Sequence, residues 1–273
     1  MRCSPRRILA AVILLLICTP WLRAADDDAD LDAYKIRLTG LWWFSYPTGS
    51  FQAQGTNSAA GSFDLNRDFG FRSYSTFSGK VDWRFKRKHH LLVGIFPLSS
   101  SRTATLSRTF TFQGQTFDAG LQTSMNLDTS AYAPGYQYDI IRRNRIVISI
   151  PVQVFLGNIS AKLTAAGTLN GSSTTKSASG SIFAALPVAG PAVRWYPTHT
   201  NRFSLDGTLQ GMYFFGYGDF MTVKGNAGIA LNRHLNFRAG YQLGRRLRVN
   251  DSNSRIGIVL VQKGPVAGLE ASW

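Results

Sequence analysis

The chain is short of cysteine and of long apolar runs. Its two cysteines are Cys3 and Cys18, so the sequence beyond residue 24 has no thiol for a disulfide, a thiolate metal site or a cysteine nucleophile. The apolar stretch 8–17 is too short to span a membrane as a helix, and nothing after it approaches that length. If the chain beyond residue 24 crosses a bilayer, it must therefore cross with strands.

The N-terminal segment has the pattern of an export signal. Arg2, Arg6 and Arg7 form a positive region ahead of the short apolar stretch, and a cleavage site follows at Ala24. We therefore predict that residues 1–24 are a signal peptide that is removed on export. A permanent N-terminal anchor is the alternative, and the shortness of the run disfavours it.

Polar and apolar residues alternate almost without a slip between His234 and Val249. A period of two over this length predicts a β-strand that is longer than the strands usual in soluble sheets. Arg238, Arg246 and Arg248 share one face, and three arginines do not fit an ordinary hydrophobic core. The apolar face must instead contact apolar surroundings outside the protein, as in a barrel within a lipid bilayer.

The same alternation recurs along the chain and predicts ten strands. They are about 34–46, 71–86, 89–107, 120–141, 145–160, 178–196, 202–215, 219–231, 234–249 and 254–273. Short polar turns alternate with longer loops, which are about 47–70, 108–119, 161–177, 216–218 and 250–253. Pro97, Pro187 and Pro191 predict local irregularity within two of the strands. Eight or twelve strands remain the alternatives if the region 89–141 pairs differently.

The last strand ends with apolar residues at alternate positions, Leu269, Ala271 and Trp273. With the pattern of strands and turns over 34–273, this ending resembles bacterial outer-membrane β-barrel proteins. The resemblance implies an all-β, transmembrane, antiparallel up-and-down barrel with porin-like alternation, in the outer membrane of a Gram-negative bacterium. It also implies contact with outer-membrane lipid and lipopolysaccharide. The barrel assembly machinery would read the terminal strand through these three residues.

Acidic residues are scarce and partly concentrated at one place. The chain has 15 Asp and Glu against 30 Lys and Arg, a net charge of +15, which falls to about +11 without residues 1–24. In a soluble protein such an excess of positive charge would indicate nucleic-acid binding, but we do not expect a nucleic-acid partner for an exported chain. Five aspartates lie at 26, 27, 28, 30 and 32. We predict that 25–33 is a solvated periplasmic tail; the alternative is that it docks on basic groups at the periplasmic mouth.

Strand parity directs more basic than acidic side chains into the lumen. The basic set is Lys35, Arg37, Lys80, Arg84, Arg145, Arg194, Lys224, Arg238, Arg246 and Arg248. The acidic set is Asp82, Asp139, Asp206 and Glu270. Ten strands stand close to the eight-stranded barrels that side chains fill, so we predict a narrow, basic, largely filled lumen and a structural or surface role. One alternative is a small anion-preferring pore; another is a binding or adhesion protein that acts through loops 47–70 and 161–177.

No catalytic or metal-binding constellation is evident in the sequence. All four histidines, His89, His90, His199 and His234, lie at or beside predicted periplasmic turns and are interpreted as solvated turn residues. There is no paired-histidine motif and no phosphate-binding loop. We therefore predict no enzyme activity, no catalytic residues, no metal and no cofactor.

Overall fold

A computed structural model describes residues 31–53, 62–169, 172–214, 218–251 and 256–273, which form an antiparallel β-barrel. The strands are β1 (Ile36–Ala53), β2 (Ser62–Asp64), β3 (Tyr74–Lys86), β4 (His89–Ile95), β5 (Leu98–Thr105), β6 (Phe110–Phe112), β7 (Gln115–Phe117), β8 (Gln122–Arg143), β9 (Ile146–Leu169), β10 (Ser172–Ala189), β11 (Ala192–Trp195), β12 (Phe203–Phe214), β13 (Gly218–Ala230), β14 (Leu235–Asp251) and β15 (Ile256–Ser272). No helix in these ranges is long and apolar enough to cross a membrane.

The barrel has ten staves, each a strand or a pair of strands that runs the height of the wall. β4 and β5 form one stave that is interrupted at Pro97, and β10 and β11 form another that is interrupted at Pro191. The ring closes because β1 pairs with β15, and β8 pairs with β9. The prediction of ten strands and of irregularity at these two prolines is confirmed. We call the end with the short turns, the residues just before β1 and Trp273 the turn end, and the opposite end the loop end.

The lower part of the outer face, toward the turn end, is apolar. Trp42, Phe44, Val152, Phe237 and Tyr241 all point outward and are about half exposed, whereas their strand neighbours of opposite parity point into the barrel. A face of this kind is stable only against hydrocarbon, because exposed apolar side chains of this number would otherwise be packed in a core. The outward parity predicted from the sequence is therefore confirmed in this zone.

Toward the loop end the two faces exchange their polarity. On β9 the outward series passes from Val154 to polar Ser160 and Lys162, while the inward series becomes apolar at Ile159 and Leu163. On β9 the inward face is therefore apolar toward the loop end, where the sequence analysis considered only polar inward residues. This upper zone has a polar outside and an apolar inside because it projects beyond the hydrocarbon into water.

The predicted loops 108–119 and 161–177 are largely ordered strands. β9 and β10 continue through most of 161–177, and their apolar inward positions provide the reason, since they add to the core. Within 108–119, β6 and β7 form a hairpin whose two-residue turn places Gln113 and Gly114 at φ of 51° and 75°. Positive φ at both positions matches the twist that such hairpins need.

Aromatic side chains from these connections fill the inside of the loop end. We call this group the loop-end core; its members include Leu65, Phe69, Phe71, Phe110, Phe112, Phe117, Met125, Phe155, Ile159, Leu163, Ile182, Phe220 and Leu260. The predicted loop 47–70 contributes to this core in its described part, because Leu65 and Phe69 are buried there. Burial of several phenylalanines gives the loops a fixed packing that their Gly- and Ser-rich composition did not indicate.

Candidate functional site in the barrel lumen

Ionisable side chains from eight staves and from the segment before β1 meet inside the turn end. We call them the turn-end cluster: Asp32, Tyr34, Arg37, Asp82, Arg84, His90, Asp139, Arg142, Arg194, Tyr196, Asp206, Arg238 and Glu270. Inward parity brings them together, because every second residue of each stave faces the lumen and the ring places the staves around one axis.

Glu270 is the central acceptor of this cluster. Arg194 donates to its two carboxylate oxygens at 3.1 and 2.9 Å, and Arg238 donates to Oε1 at 2.8 Å. Arg194 lies on β11 and Glu270 on β15, so three staves separate them along one side of the ring and five along the other. The bidentate pair therefore crosses the lumen instead of joining neighbouring strands.

Asp32 folds back into the lumen from the segment that precedes β1. Its Oδ1 accepts from Arg37 at 2.5 Å and from the Tyr196 hydroxyl at 2.8 Å, and its backbone carbonyl accepts from Arg142 at 2.9 Å. Burial by itself raises the pKa of the Asp32 carboxyl, but the guanidinium groups of Arg37 and Arg194 outweigh it and hold that pKa well below its usual range.

The two interpretations of the acidic tail can be compared at this residue. Asp32 is buried and forms ion pairs with Arg37 and Arg194, so at this residue the segment docks on basic groups and is not solvated. Asp26, Asp27, Asp28 and Asp30 lie outside the described residues.

His90 is buried and both of its ring nitrogens are bonded. Nδ1 lies 2.9 Å from Asp82 Oδ1, Nε2 lies 3.0 Å from Asp139 Oδ2, and the Tyr34 hydroxyl donates to Asp82 Oδ2 at 2.9 Å. The interpretation of His90 as a solvated turn residue is therefore wrong. The reason is positional, since β4 begins at His89 and the next side chain already points inward.

The predicted lumen residues are distributed unevenly in the structure. All four acids and four of the basic residues, Arg37, Arg84, Arg194 and Arg238, belong to the turn-end cluster. Lys80 and Lys224 lie half-buried on inward positions of β3 and β13, and Arg145 donates to the backbone carbonyls of Tyr196 and Pro197 at the turn. Lys35 is exposed just before β1 and is not part of the turn-end cluster. The side chains of Arg246 and Arg248 lie outside the described part of the chain.

Arg142 is a member that sequence parity missed. The pairing of β8 with β9 shifts between Asp139 and Ile141, so Ile140 and Ile141 both point outward and Arg142 returns to the lumen. A β-bulge of this kind inserts one residue and reverses the parity beyond it. With Arg142 and Asp32 included, five arginines face five carboxylates within the turn-end cluster, whereas parity predicted ten basic and four acidic side chains for the lumen as a whole.

The described residues of this site can be compared with the ligand sets that hold metal ions. Among the residues that the structure describes, no group of three or more His, Cys, Asp or Glu side chains is arranged to hold a metal ion. The other three histidines, His89, His199 and His234, lie at the turn end as well, at the beginning of β4 and in the connections that precede β12 and β14.

Comparison with known proteins identifies the fold. No protein-family model matches the chain, and no curated protein sequence matches it. The crystal structure of the outer membrane protease OmpT from Escherichia coli superimposes with a TM-score of 0.59 at 9% sequence identity, over 87% of this chain and 96% of OmpT. The toluene transporter TodX of Pseudomonas putida gives a TM-score of 0.35 at 8% identity, over 91% of this chain and 92% of TodX. Ail of Yersinia pestis gives 0.32 at 8% identity, over 86% and 99%.

The resemblance to bacterial outer-membrane β-barrel proteins that the sequence indicated is thereby confirmed at the level of fold. At 9% identity, the likeness to OmpT shows a shared fold and gives no information about activity. The scores for TodX and Ail are too low to support an argument.

Proposed function

We propose that this chain is an integral protein of the bacterial outer membrane with a structural or surface role, and that its lumen does not conduct ions. The observation that carries the proposal is the Arg194–Glu270 pair, which reaches across the lumen with its polar atoms 2.9 Å apart. Arg238 and Asp32 add further bonds at the same level. Because each charge there is held by fixed partners, a permeating ion would have to break several buried bonds.

Export and assembly belong to the same proposal. The fold and the apolar outer band support an outer-membrane location, and we infer that residues 1–24 are removed near Ala24 on the way. The barrel assembly machinery would bind the terminal strand through Leu269, Ala271 and Trp273. Lipopolysaccharide and lipid would cover the apolar band.

An absence of enzyme activity is also part of the proposal. The buried histidine of the turn-end cluster has a carboxylate on each ring nitrogen, which leaves neither nitrogen free for a substrate. The described cluster contains no serine, threonine or cysteine beside this histidine, whose bonded neighbours are Tyr34, Asp82 and Asp139.

Conductance in a planar lipid bilayer tests the proposal. The mature protein, shown to be folded by its heat-modifiable electrophoretic mobility, should give no steady channel. The double variant Arg194→Ala/Glu270→Ala, which removes the crossing pair, should raise conductance above that of the wild type. Lys263→Ala, on the exposed outer face, is the matched control and should remain silent. A steady anion-selective conductance of the wild type would instead establish the anion-preferring pore.

A further inference from the structure

The barrel wall has a gap between β3 and β5. The ladder that joins β3 to β4 ends at the pair Gly79 and Ile95, and β5 pairs with β8 alone in the described residues. The upper part of β3 is paired on its other side with β1. Continuation of the ladder would set Phe77 opposite Pro97, and proline has no N–H to donate. The proline therefore ends the pairing at the level where the outer face is still apolar, since Phe77 and Ile95 are exposed there.

Two side chains hold the edges of this gap together. The Thr76 hydroxyl donates to the Pro97 carbonyl, and Arg102 donates to the Ser73 carbonyl at 3.1 Å farther toward the loop end. Such bonds are far fewer than the regular ladder elsewhere in the wall. An opening here requires the loss of single side-chain bonds, whereas separation of paired staves requires the loss of a whole row.

A cavity lies directly behind the gap. Phe77 and Pro97, which face outward, line its mouth, and Trp43, Phe155, Phe220 and Leu260 line its interior among other residues. Its volume of about 40 Å³ exceeds the roughly 10–15 Å³ that a single water molecule needs. The cavity thus joins the membrane-facing surface to the loop-end core, and its walls are mainly apolar.

Two polar atoms at the cavity lack hydrogen-bond partners. Within the described part of the chain, the buried indole nitrogen of Trp43 and the hydroxyl of Thr129 have none, and both residues line the cavity. Trp43 is only 5% exposed. Buried donors without partners are rare, and a ligand that supplies an acceptor oxygen is one explanation for a pair of them beside an apolar cavity.

We propose that the gap between β3 and β5 is a side entrance through which a small, uncharged, mainly apolar molecule with one acceptor oxygen passes from the membrane into this cavity. Trp43 Nε1–H and the Thr129 hydroxyl donate to the oxygen, while Phe155 and Leu260 contact the apolar body. The site is separate from the turn-end cluster and does not depend on whether the lumen conducts.

Nuclear magnetic resonance of the indole N–H groups tests the site directly. The mature protein, labelled with ¹⁵N-tryptophan in micelles of a detergent without carbonyl groups, is titrated with acetophenone, and Trp43→Phe assigns the Trp43 signal. The Trp43 signal should shift saturably, whereas the signals of exposed Trp42, Trp83, Trp195 and Trp273 should drift without saturation. Ethylbenzene, which has a similar shape and no acceptor, should not reproduce the saturable shift.

Variants separate the binding site from a change in folding. Thr129→Val keeps the shape of the side chain and should weaken acetophenone binding by about threefold to tenfold, as expected for one hydrogen bond. Leu260→Trp fills the cavity and should abolish the saturable shift, and Ser160→Val on the outer face is the control that should bind normally. Equal shifts with acetophenone and ethylbenzene, or no saturable shift of Trp43, would overturn the proposal. A saturable shift caused by ester lipid alone would also overturn it, because the occupant would then be a lipid carbonyl.

Discussion

Neutralising Glu270 should destabilise the barrel strongly although the substitution changes almost no volume. In Glu270→Gln, Arg194 and Arg238 lose the carboxylate that both bond at 2.8–3.1 Å, and Arg37 loses an ion pair at 3.6 Å. Removal of one partner from a buried ion pair leaves an uncompensated charge, which costs about 3–5 kcal/mol. We therefore expect the free energy of unfolding to fall by about this amount.

The measurement is guanidinium unfolding of the refolded protein in micelles, followed by tryptophan fluorescence. Asp128→Asn is the matched control, because Asp128 is an exposed acid on the outer face whose Oδ1 accepts from Ser99 at 2.6 Å. It should change stability by less than about 1 kcal/mol. The double variant Arg194→Gln/Glu270→Gln removes one charge of each sign and should lose less than the two single losses added together. Equal stability of Glu270→Gln and Asp128→Asn would refute the reasoning.

Three further predictions concern other parts of the chain. Val152→Arg, in the apolar band, should destabilise the lipid-inserted barrel by about 2–4 kcal/mol, whereas Ser160→Arg, higher on the same strand, should change it by less than about 1 kcal/mol, as measured by urea unfolding in lipid vesicles. The Asp68 carboxyl accepts from Arg108 at 2.8 Å; burial raises its pKa, but bonds from Arg108 and its neighbours lower the net pKa to about 2. The ionised Asp68 stabilises the folded state fully above the unfolded pKa near 3.9, and this stabilisation is lost as the pH falls through about 2. Asp68→Asn should therefore lower the free energy of unfolding by about 1–2 kcal/mol at pH 7 and at pH 4 and leave it unchanged at pH 1.5, as measured by unfolding series at the three pH values. Trp273→Ala should reduce the amount of assembled barrel in the outer membrane while the purified variant still refolds in detergent; unchanged assembly in cells would contradict the role of the terminal strand.

The number of staves and their turn-end boundaries were accessible from the sequence because strand parity is a local property, whereas β1, β9 and β10 extend farther toward the loop end than predicted. Each stave carries its own alternation, and the turns between staves carry their own polar residues, so the ten strands could be read one at a time. The proline interruptions were also accessible, since the missing N–H of Pro97 acts at its own position. The exchange of polar and apolar faces on β9 could also have been predicted from its residues. It was missed because every outward face was expected to contact lipid.

The composition of the turn-end cluster depended on information that no single strand contains. Parity placed Glu270, Arg194 and Arg238 inside but gave no partners, because their bonds cross the ring and depend on how it closes. A bulge in β8 added Arg142, and the strand start of β4 added His90. In a strand, a shift of one residue moves a side chain to the opposite face, which is enough to bring Arg142 or His90 into the lumen.

By itself the sequence determined that this chain forms a barrel with an apolar outer band, because the alternation of polar and apolar residues is a local property of each strand. Only the tertiary structure decided that Asp32 returns into the lumen, that arginines and carboxylates are equal in number within the turn-end cluster, and that the wall is incomplete beside Pro97. These features arise from contacts between residues far apart in the chain, and they exist only once the first and last staves have paired.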